Sequence, residues 1–339
     1  MSFPSMSFQQ YLEQNSPRIG EAIADYYHID ASEDINRYLY SPLARYSANG
    51  GKRHRPLICE LACGAVGGDL AKVAAAACAI EHFHTAALIH DDIADESTLR
   101  RGEPCLHITE GEGLAINAGD LALSQVTGTV LNDKSLSESL RLRILEELVE
   151  MTTRTIEGQA LDIGWARDGR FDLTVEDYLQ MAKRKTAYYS GSTPLAVGAI
   201  IGGGAEEQIS LLREFGMAAG LAFQVQDDLL NICGNKELLG KDYRSDITEG
   251  KRTLMAVHTL QYSEQKSEFA AILASHTSAP TMLACAVDMM EAAGSLEFAR
   301  DYAVGLVTAA KAGIADKLEH NEYTKLLLQM ADYFIERMS

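Results

Sequence analysis

Proline occurs only at positions 4, 17, 42, 56, 104, 194 and 280 of the 339 residues, so long stretches lack the one residue that breaks an α-helix outright. Within them, apolar residues recur at intervals of three and four. Leu140, Ile144, Leu145, Leu148 and Met151 form one stripe, and Leu326, Leu327, Met330, Phe334 and Ile335 another. The strong helix formers Ala, Leu and Glu abound. The pattern predicts an all-α protein: a bundle of ten or more helices, each of roughly 12–30 residues.

Turn-forming clusters punctuate the chain near Ser47–Gly51, Gly67–Asp69, Glu110–Gly113, Asn132–Ser135, Arg167–Phe171, Gly202–Gly204, Gly234–Gly240 and Thr277–Pro280. None has the length or composition of an interdomain linker, so one domain over residues 1–339 is expected. Residues 186–205 carry no charge and have the length of a membrane span. They also carry Ser, Thr, Pro194 and five glycines, which favours a buried helix over a transmembrane one.

Thirty Lys and Arg stand against 48 Asp and Glu, a net charge of −18. Such a surface excludes a nucleic-acid binder and a polybasic membrane-binding protein, and 47% hydrophobic residues exclude a disordered chain. An acidic protein that handles an anionic substrate needs a local knot of cations or a divalent metal. Six cysteines, at 59, 63, 78, 105, 233 and 285, form no CxxC pair and sit mostly among apolar neighbours. That usage fits free, buried thiols in a reducing cytoplasm. The first twenty residues lack the apolar core of a secretory signal.

The chemistry is concentrated in two acidic clusters. Asp91, Asp92 and Asp95 form DDxxD at the expected C-terminal end of an apolar helix, where Asp91 and Asp95 share a face. Like charges there repel one another and the helix dipole unless a cation lies between them. Magnesium is the natural partner, because it takes one or two carboxylates and leaves positions for water and phosphate oxygens. A second pair, Asp227 and Asp228, is embedded in another apolar helix, and burying it requires a proton, cation or hydrogen bond. Two such clusters facing each other across a bundle would clamp a diphosphate through several metals. Cations occur in Gly50-Gly-Lys-Arg-His-Arg-Pro56, at Arg100-Arg101, at Lys183-Arg-Lys185, at Lys241 and at Lys251-Arg252. Gly50-Gly51 allows a tight turn into a helix starting near Pro56, which gathers Lys52, Arg53 and Arg55 at a helix N-terminus suited to phosphate.

The ordered set GGKRHRP (50–56), HTAALIHDDIADESTLRRGEPCLH (84–107), GQALDI (158–163), KTA (185–187), FQVQDD (223–228) and GKDYRSDITEGKRTL (240–254) resembles the trans-isoprenyl diphosphate synthases. The resemblance implies the isoprenoid synthase fold, with helices around a central active-site cavity. It also implies a reaction in which isopentenyl diphosphate condenses with an allylic diphosphate (dimethylallyl, geranyl or farnesyl) by ionisation, condensation and elimination. By the same resemblance Asp91, Asp92, Asp95, Asp227 and Asp228 hold Mg²⁺, three ions per site, with Mn²⁺ able to substitute. Arg100, Lys185, Lys241 and Lys251 neutralise the allylic diphosphate. Lys52, Arg55, His84 and Arg101 bind isopentenyl diphosphate without metal, and Thr186 and Gln224 line the reaction centre. Asn231 departs from the pattern, standing where the family usually has a third aspartate.

Product length in the family is set by side chains upstream of the first motif. A bulky aromatic five residues before it gives short products, and here that position is Ala86, followed by Ala87. The nearest aromatic is Phe83, three residues or about 4.5 Å deeper along a helix, which favours geranylgeranyl diphosphate (C20). If the floor lies elsewhere, the product is C25 or longer.

Other readings are a class I terpene cyclase, a phosphohydrolase using His82, His84, His90 and His107 around a transition metal, and a non-catalytic partner subunit of a heteromeric synthase. GGKRHRP and FQVQDD argue against the first, bound transition metal would distinguish the second, and the retained aspartates argue against the third. The family is usually homodimeric, and the Ala- and Gly-rich stretch Gly113–Val130 offers a close-packing face for an interface.

Overall fold

A computed structural model describes residues 6–27, 32–234 and 243–336. The apolar stripes read from the sequence are the inner faces of helices: Ile144, Leu148 and Met151 are buried, as are Leu326, Leu327, Met330 and Phe334. In chain order the helices begin with α1 (Phe8–Asp25), α2 (Ser41–Ala48), α3 (His54–Ala65) and α4 (Ala74–Ala94). After them come α5 (Leu106–Glu110), α6 (Glu112–Asn132), α7 (Glu138–Arg167) and α8 (Val175–Ala182). A π-helical segment, Lys183–Ser192, leads into α9 (Thr193–Ile201), α10 (Glu206–Cys233) and the short α11 (Ser245–Thr248). The chain ends with α12 (Leu254–Tyr262), α13 (Lys266–Ala274), α14 (Pro280–Ala292), α15 (Ser295–Ile314) and α16 (Glu322–Glu336). The all-α expectation holds, and none of these helices is long and apolar enough to cross a membrane. All six cysteines are free, four of them buried.

Among the described residues one pair of strands interrupts the helices, β1 (Leu99–Arg100) antiparallel to β2 (Glu103–Pro104). The two residues between them, Arg101 and Gly102, have φ of 54° and 82°, the left-handed geometry of a tight two-residue hairpin turn. With only two residues per strand, the hairpin is too short to leave an alternating pattern in the sequence.

By internal contacts the chain divides into two compact units: residues up to Thr152 with Thr193–Leu212 and Leu318–Gln329, and Thr153–Ser192 with Arg213–Lys317 and the chain from Met330. In the first, all nine residues of α9 are buried against α3. A Cβ at Gly198 would overlap the carbonyl oxygen of Cys59, so glycine is what lets the two backbones meet. The charge-free stretch 186–205 is thus interior, as its glycines and Pro194 suggested. In the same unit α6 packs along α4 through Ala115, Ala118, Gly119, Ala122 and Val126, all buried. The imidazole of His90 lies directly on Gly119. These small residues pack within the chain, because α6 can approach α4 closely only where its side chains are small. In the second unit α12 is the buried centre, packed by α13, α14 and α15.

On α4, His82 is buried and its Nδ1 lies 2.6 Å from the Tyr27 hydroxyl. Burial pushes this histidine down to about 3 from its ordinary 6.5. Below pH 6.5 the unfolded chain takes up a proton that folded His82 refuses, so its contribution is complete above 6.5 and is lost as pH falls. From this residue alone, folding stability should drop by about 1.4 kcal/mol per pH unit in that range. Denaturant titrations at a series of pH values should show a slope about one proton shallower in His82→Gln.

Candidate active site

The first acidic cluster closes α4, with Asp95 as its C-terminal cap. Asp92 is 1% exposed, and both of its oxygens are engaged. The Tyr46 hydroxyl of α2 donates to Oδ2 at 2.7 Å, while Arg100 donates to Oδ1 through Nε at 2.7 Å and through Nη2. Asp91 and Asp95 are only half-buried, and Asp91 Oδ2 lies 4.0 Å from Arg100 Nη2. Helix geometry separates the roles: residues four apart share the outward face, and the residue between them is turned about 100° inward. Burial, with Asp92 alongside, pushes the Tyr46 hydroxyl far above the ordinary tyrosine range, which keeps it a donor. Burial works against the charge of Arg100, and Asp92 more than restores it. Phe83 and Ala86, upstream on α4, are buried, and Ala87 is half-buried.

The hairpin turn sends neighbouring arginines in different directions. Arg100, in β1, reaches the aspartates. Arg101, in the turn, donates from Nη1 to the carbonyls of Asn49 at 3.0 Å and Gly50 at 2.7 Å. A Cβ on Gly51 would lie 2.8 Å from that Nη1, and Gly50 and Gly51 have φ of 66° and 111°. The turn therefore favours glycine at both positions. The loop leads to α3, where Arg55 is buried; Lys52 is exposed and its carbonyl accepts from Ser16 Oγ at 2.7 Å. On α4, His84 is 8% exposed. Burial first, and then Arg55 and Arg101, hold its ring neutral well below the usual histidine range. Arg53, expected among the phosphate-facing cations, is instead turned inward and 7% exposed, with Nη1 2.6 Å from Glu81 Oε1.

The second cluster rises from a ladder on α10. Gly216, Gly220, Gln224 and Asp228 are four residues apart and share a face. A Cβ on Gly216 would overlap the backbone of Gly191, and one on Gly220 would lie 2.9 Å from Ala187 Cα, so α10 and the π segment touch backbone to backbone. The next rungs then meet side chains. Thr186 Oγ1 donates to Gln224 Oε1, Gln224 Nε2 donates to Asp228 Oδ1 at 2.6 Å, and the Tyr178 hydroxyl donates to Asp228 Oδ2 at 2.7 Å. Asp228 is thus buried and saturated as Asp92 is, and Asp227 beside it is half-buried. Burial also pushes the Asp228 carboxyl up, against the hydrogen bonds from Tyr178 and Gln224.

Gly158 on α7 has no room for a Cβ against the backbone of Lys185. That approach brings Lys185 Nζ onto Asp162, one turn further along α7. Burial alone would raise the Asp162 carboxyl, but Lys185, Lys251 and Arg252 together hold it below the usual range. Lys251 Nζ lies 2.6 Å from Glu249 Oε2. Asn231 uses its amide internally: Nδ2 donates to Ser245 Oγ at 3.1 Å, and Oδ1 accepts from the Asp246 backbone N–H at 3.3 Å. Asp246 is thereby held near Asp228, where burial pushes its carboxyl up against the pull of Lys251. Lys241 lies outside the described residues.

In the first unit the structure gathers Asp91, Asp92 and Arg100 at the end of α4 that Asp95 caps, and Arg55, His84 and Arg101 together, with Lys52 exposed on the loop before α3. In the second it gathers Asp228, Gln224 and Thr186, and Lys185 with Asp162. Tyr46, Tyr178, Asp162, Glu81 and Asp246 were missed. Only Asp162 and Asp246 had a local signal, lying within GQALDI and the 240–254 motif; each tyrosine meets its aspartate from more than forty residues away. Among the described residues, no three His, Cys, Asp or Glu side chains form a ready-made metal cage. Half-buried carboxylates offered singly or in a one-turn pair do suit magnesium, which draws its remaining ligands from water and phosphate.

The sequence profile of the polyprenyl synthetase family matches residues 36–290. A short chain isoprenyl diphosphate synthase of Methanothermobacter thermautotrophicus is 37% identical over 332 residues, 97% of each chain. The crystal structure of a geranylgeranyl pyrophosphate synthetase from Pyrococcus horikoshii is 30% identical, with a TM-score of 0.88 over 97% of this chain and 98% of that one. A geranylgeranyl pyrophosphate synthase from Corynebacterium glutamicum, solved with isoprenyl diphosphate and magnesium, is 29% identical, with a TM-score of 0.87 over 98% of this chain and all of that one.

The aspartates should separate in folding stability. Tyr178→Phe or Tyr46→Phe strips a donor from a buried carboxylate and should cost about 1–3 kcal/mol. Asp91→Asn, on the exposed face, should be near neutral, within about 0.5 kcal/mol. Urea denaturation of the three variants measures the difference.

Proposed function

The chain belongs to the polyprenyl synthetase family, and from that premise we propose a magnesium-dependent prenyltransferase that extends allylic diphosphates with isopentenyl diphosphate, chiefly to geranylgeranyl diphosphate (C20). The observation that carries this reading is the same arrangement at both acidic clusters: one aspartate locked by a tyrosine and a second side chain, and a neighbour left half-exposed. Residues 1–339 serve as one catalytic domain, a reading supported by a relative matched over 97% of both chains.

Asp91, Asp95 and Asp227 are the carboxylates that would hold magnesium, three ions in all, with manganese able to replace it. Bound there, the metal would neutralise the allylic diphosphate and make it a good leaving group. Arg100, Lys185, Lys251 and Lys241 add fixed positive charge to that end of the substrate, and Asp92 and Asp228 each fix the helix that carries them through a tyrosine. When the C1–O bond breaks, its electron pair leaves with the diphosphate. The Thr186 hydroxyl donates its hydrogen bond to Gln224, so its oxygen lone pairs remain for the allylic cation. Lys52, Arg55, neutral His84 and Arg101 hold isopentenyl diphosphate without metal. Its double bond attacks C1, and the proton lost goes to the departed diphosphate. No protein nucleophile takes part; preorganised charge and exclusion of water do the work.

The growing chain runs beside α4. Ala86 and Ala87 leave room, and buried Phe83 is the floor of the C20 product. The purified chain, magnesium, labelled isopentenyl diphosphate and each allylic primer should yield a C20 alcohol after dephosphorylation. In the same incubation Asp91→Ala should lose about 10³-fold or more in turnover with its fold intact, and Phe83→Ala should lengthen the product. Unchanged lengths remove Phe83 as the floor. No incorporation by the folded wild-type chain favours a non-catalytic partner subunit.

The enzyme acts in the cytoplasm as a homodimer, joined through α7. Leu142, Val149, Ile156 and Ile163, seven residues apart on that helix, are 60%, 54%, 55% and 43% exposed, an apolar stripe that a second copy would cover. Val149→Glu with Ile156→Glu should give a monomer in sedimentation; a dimer that persists moves the interface elsewhere.

A further inference from the structure

The loop that opens α3 carries four cationic or ionisable residues in succession, Lys52, Arg53, His54 and Arg55, and one of them does not behave as its neighbours do. Arg53 adopts a left-handed backbone with φ of 48°, a conformation that costs a non-glycine residue roughly 1 kcal/mol. Its guanidinium points away from solvent. Nη1 lies 2.6 Å from Glu81 Oε1, Nη2 donates to the Ser47 carbonyl, and the side chains of Arg53 and Glu81 are 6% and 2% exposed. The second Glu81 oxygen, Oε2, is buried and accepts no hydrogen bond from the described residues. The pair thus carries three burdens: a strained backbone, two desolvated charges and an unsatisfied oxygen.

Stability does not account for such a pair, since an apolar pair of similar volume usually does as well or better in a core. Its position in the fold offers a reason. Arg53 stands between Lys52 and Arg55, and Glu81 lies three residues, about one helical turn, before His84 on α4. The fork of one guanidinium therefore fixes the loop at two points, to the carbonyl of Ser47 in the last turn of α2 and to the helix that carries His84. Arg101 grips the same loop at the Asn49 and Gly50 carbonyls.

We propose that Arg53 and Glu81 are positioning residues that hold Lys52 and Arg55 in register with His84, and so set the affinity for the diphosphate of the homoallylic substrate without touching it. The inference rests on the reading of Lys52, Arg55, His84 and Arg101 as that substrate's site.

Steady-state kinetics of the enzyme test it. The double variant Arg53→Met with Glu81→Leu fills the same space without charge. Its KM for isopentenyl diphosphate should rise about tenfold, with kcat and the allylic KM within about twofold of wild type, because only uniform binding of one substrate is lost. Circular dichroism and thermal melting establish that it is folded; a folded double variant with unchanged KM overturns the proposal. Arg53→Lys keeps the charge but cannot reach both Glu81 and the Ser47 carbonyl. It should show a smaller rise in the same KM, and no rise overturns the proposal if the double variant does not fold. Arg55→Ala is the separate check on the site: if its KM for isopentenyl diphosphate is unchanged, the site has been misplaced and the reading beneath the proposal fails, whatever the pair does.

Discussion

A hydroxyl donated to a buried carboxylate is the interaction on which both acidic clusters depend. An isolated charged aspartate in a helix interior is costly to desolvate, and a protein that must present carboxylates to a metal still has to fix the helix that carries them. The chain does this by splitting an adjacent pair. Asp92 and Asp228 face inward and take hydrogen bonds from Tyr46 and Tyr178; Asp91 and Asp227 remain half-exposed. Both tyrosines titrate far above their ordinary range, because burial and the adjacent carboxylate oppose their ionisation. Both hydroxyls therefore keep their protons, and remain donors, as pH rises.

The cations are handled in the same spirit. In a chain of net charge −18, Arg100 lies against Asp92, Lys185 against Asp162, Lys251 against Glu249 and Arg53 against Glu81. Each cation is oriented before any substrate arrives, and the loss of side-chain freedom is part of folding rather than of binding. A metal-bound diphosphate entering such a site exchanges partners with charges already in place. Arrangements of this kind act on a developing leaving-group charge with little reorganisation at the moment of reaction.

Much of this was legible in the sequence, for identifiable reasons. Helices showed in the three-and-four spacing of Leu140 to Met151, and the acidic clusters and their cations stood in short motifs where spacing maps directly onto a helix face. What did not show were pairings between distant segments. Tyr46 with Asp92 and Tyr178 with Asp228 join residues 46 and 50 positions apart, and no local pattern marks either tyrosine. Arg53 was grouped with Lys52 and Arg55 because charge and proximity cannot reveal which way a side chain turns; that depends on a left-handed φ and on Glu81. The small residues of the Ala- and Gly-rich helix signal close packing without saying against what; the face bearing Ala115, Ala118 and Ala122 packs within the chain. Asn231 looked like a lost ligand, yet its amide holds the turn that bears Asp246.

The π segment Lys183–Ser192 is pinned at both ends by contacts that admit no side chain, Lys185 against Gly158 and Gly191 against Gly216. Between those points the number of residues is fixed as well as their kind. Loss of one would wind the segment toward an ordinary α-helix and swing Thr186 by about 100°, and gain of one would swing it the other way. Surface loops elsewhere in the chain can absorb insertions and deletions. This stretch can change only by substitution, so it acts as a ruler whose marks are its two glycine contacts.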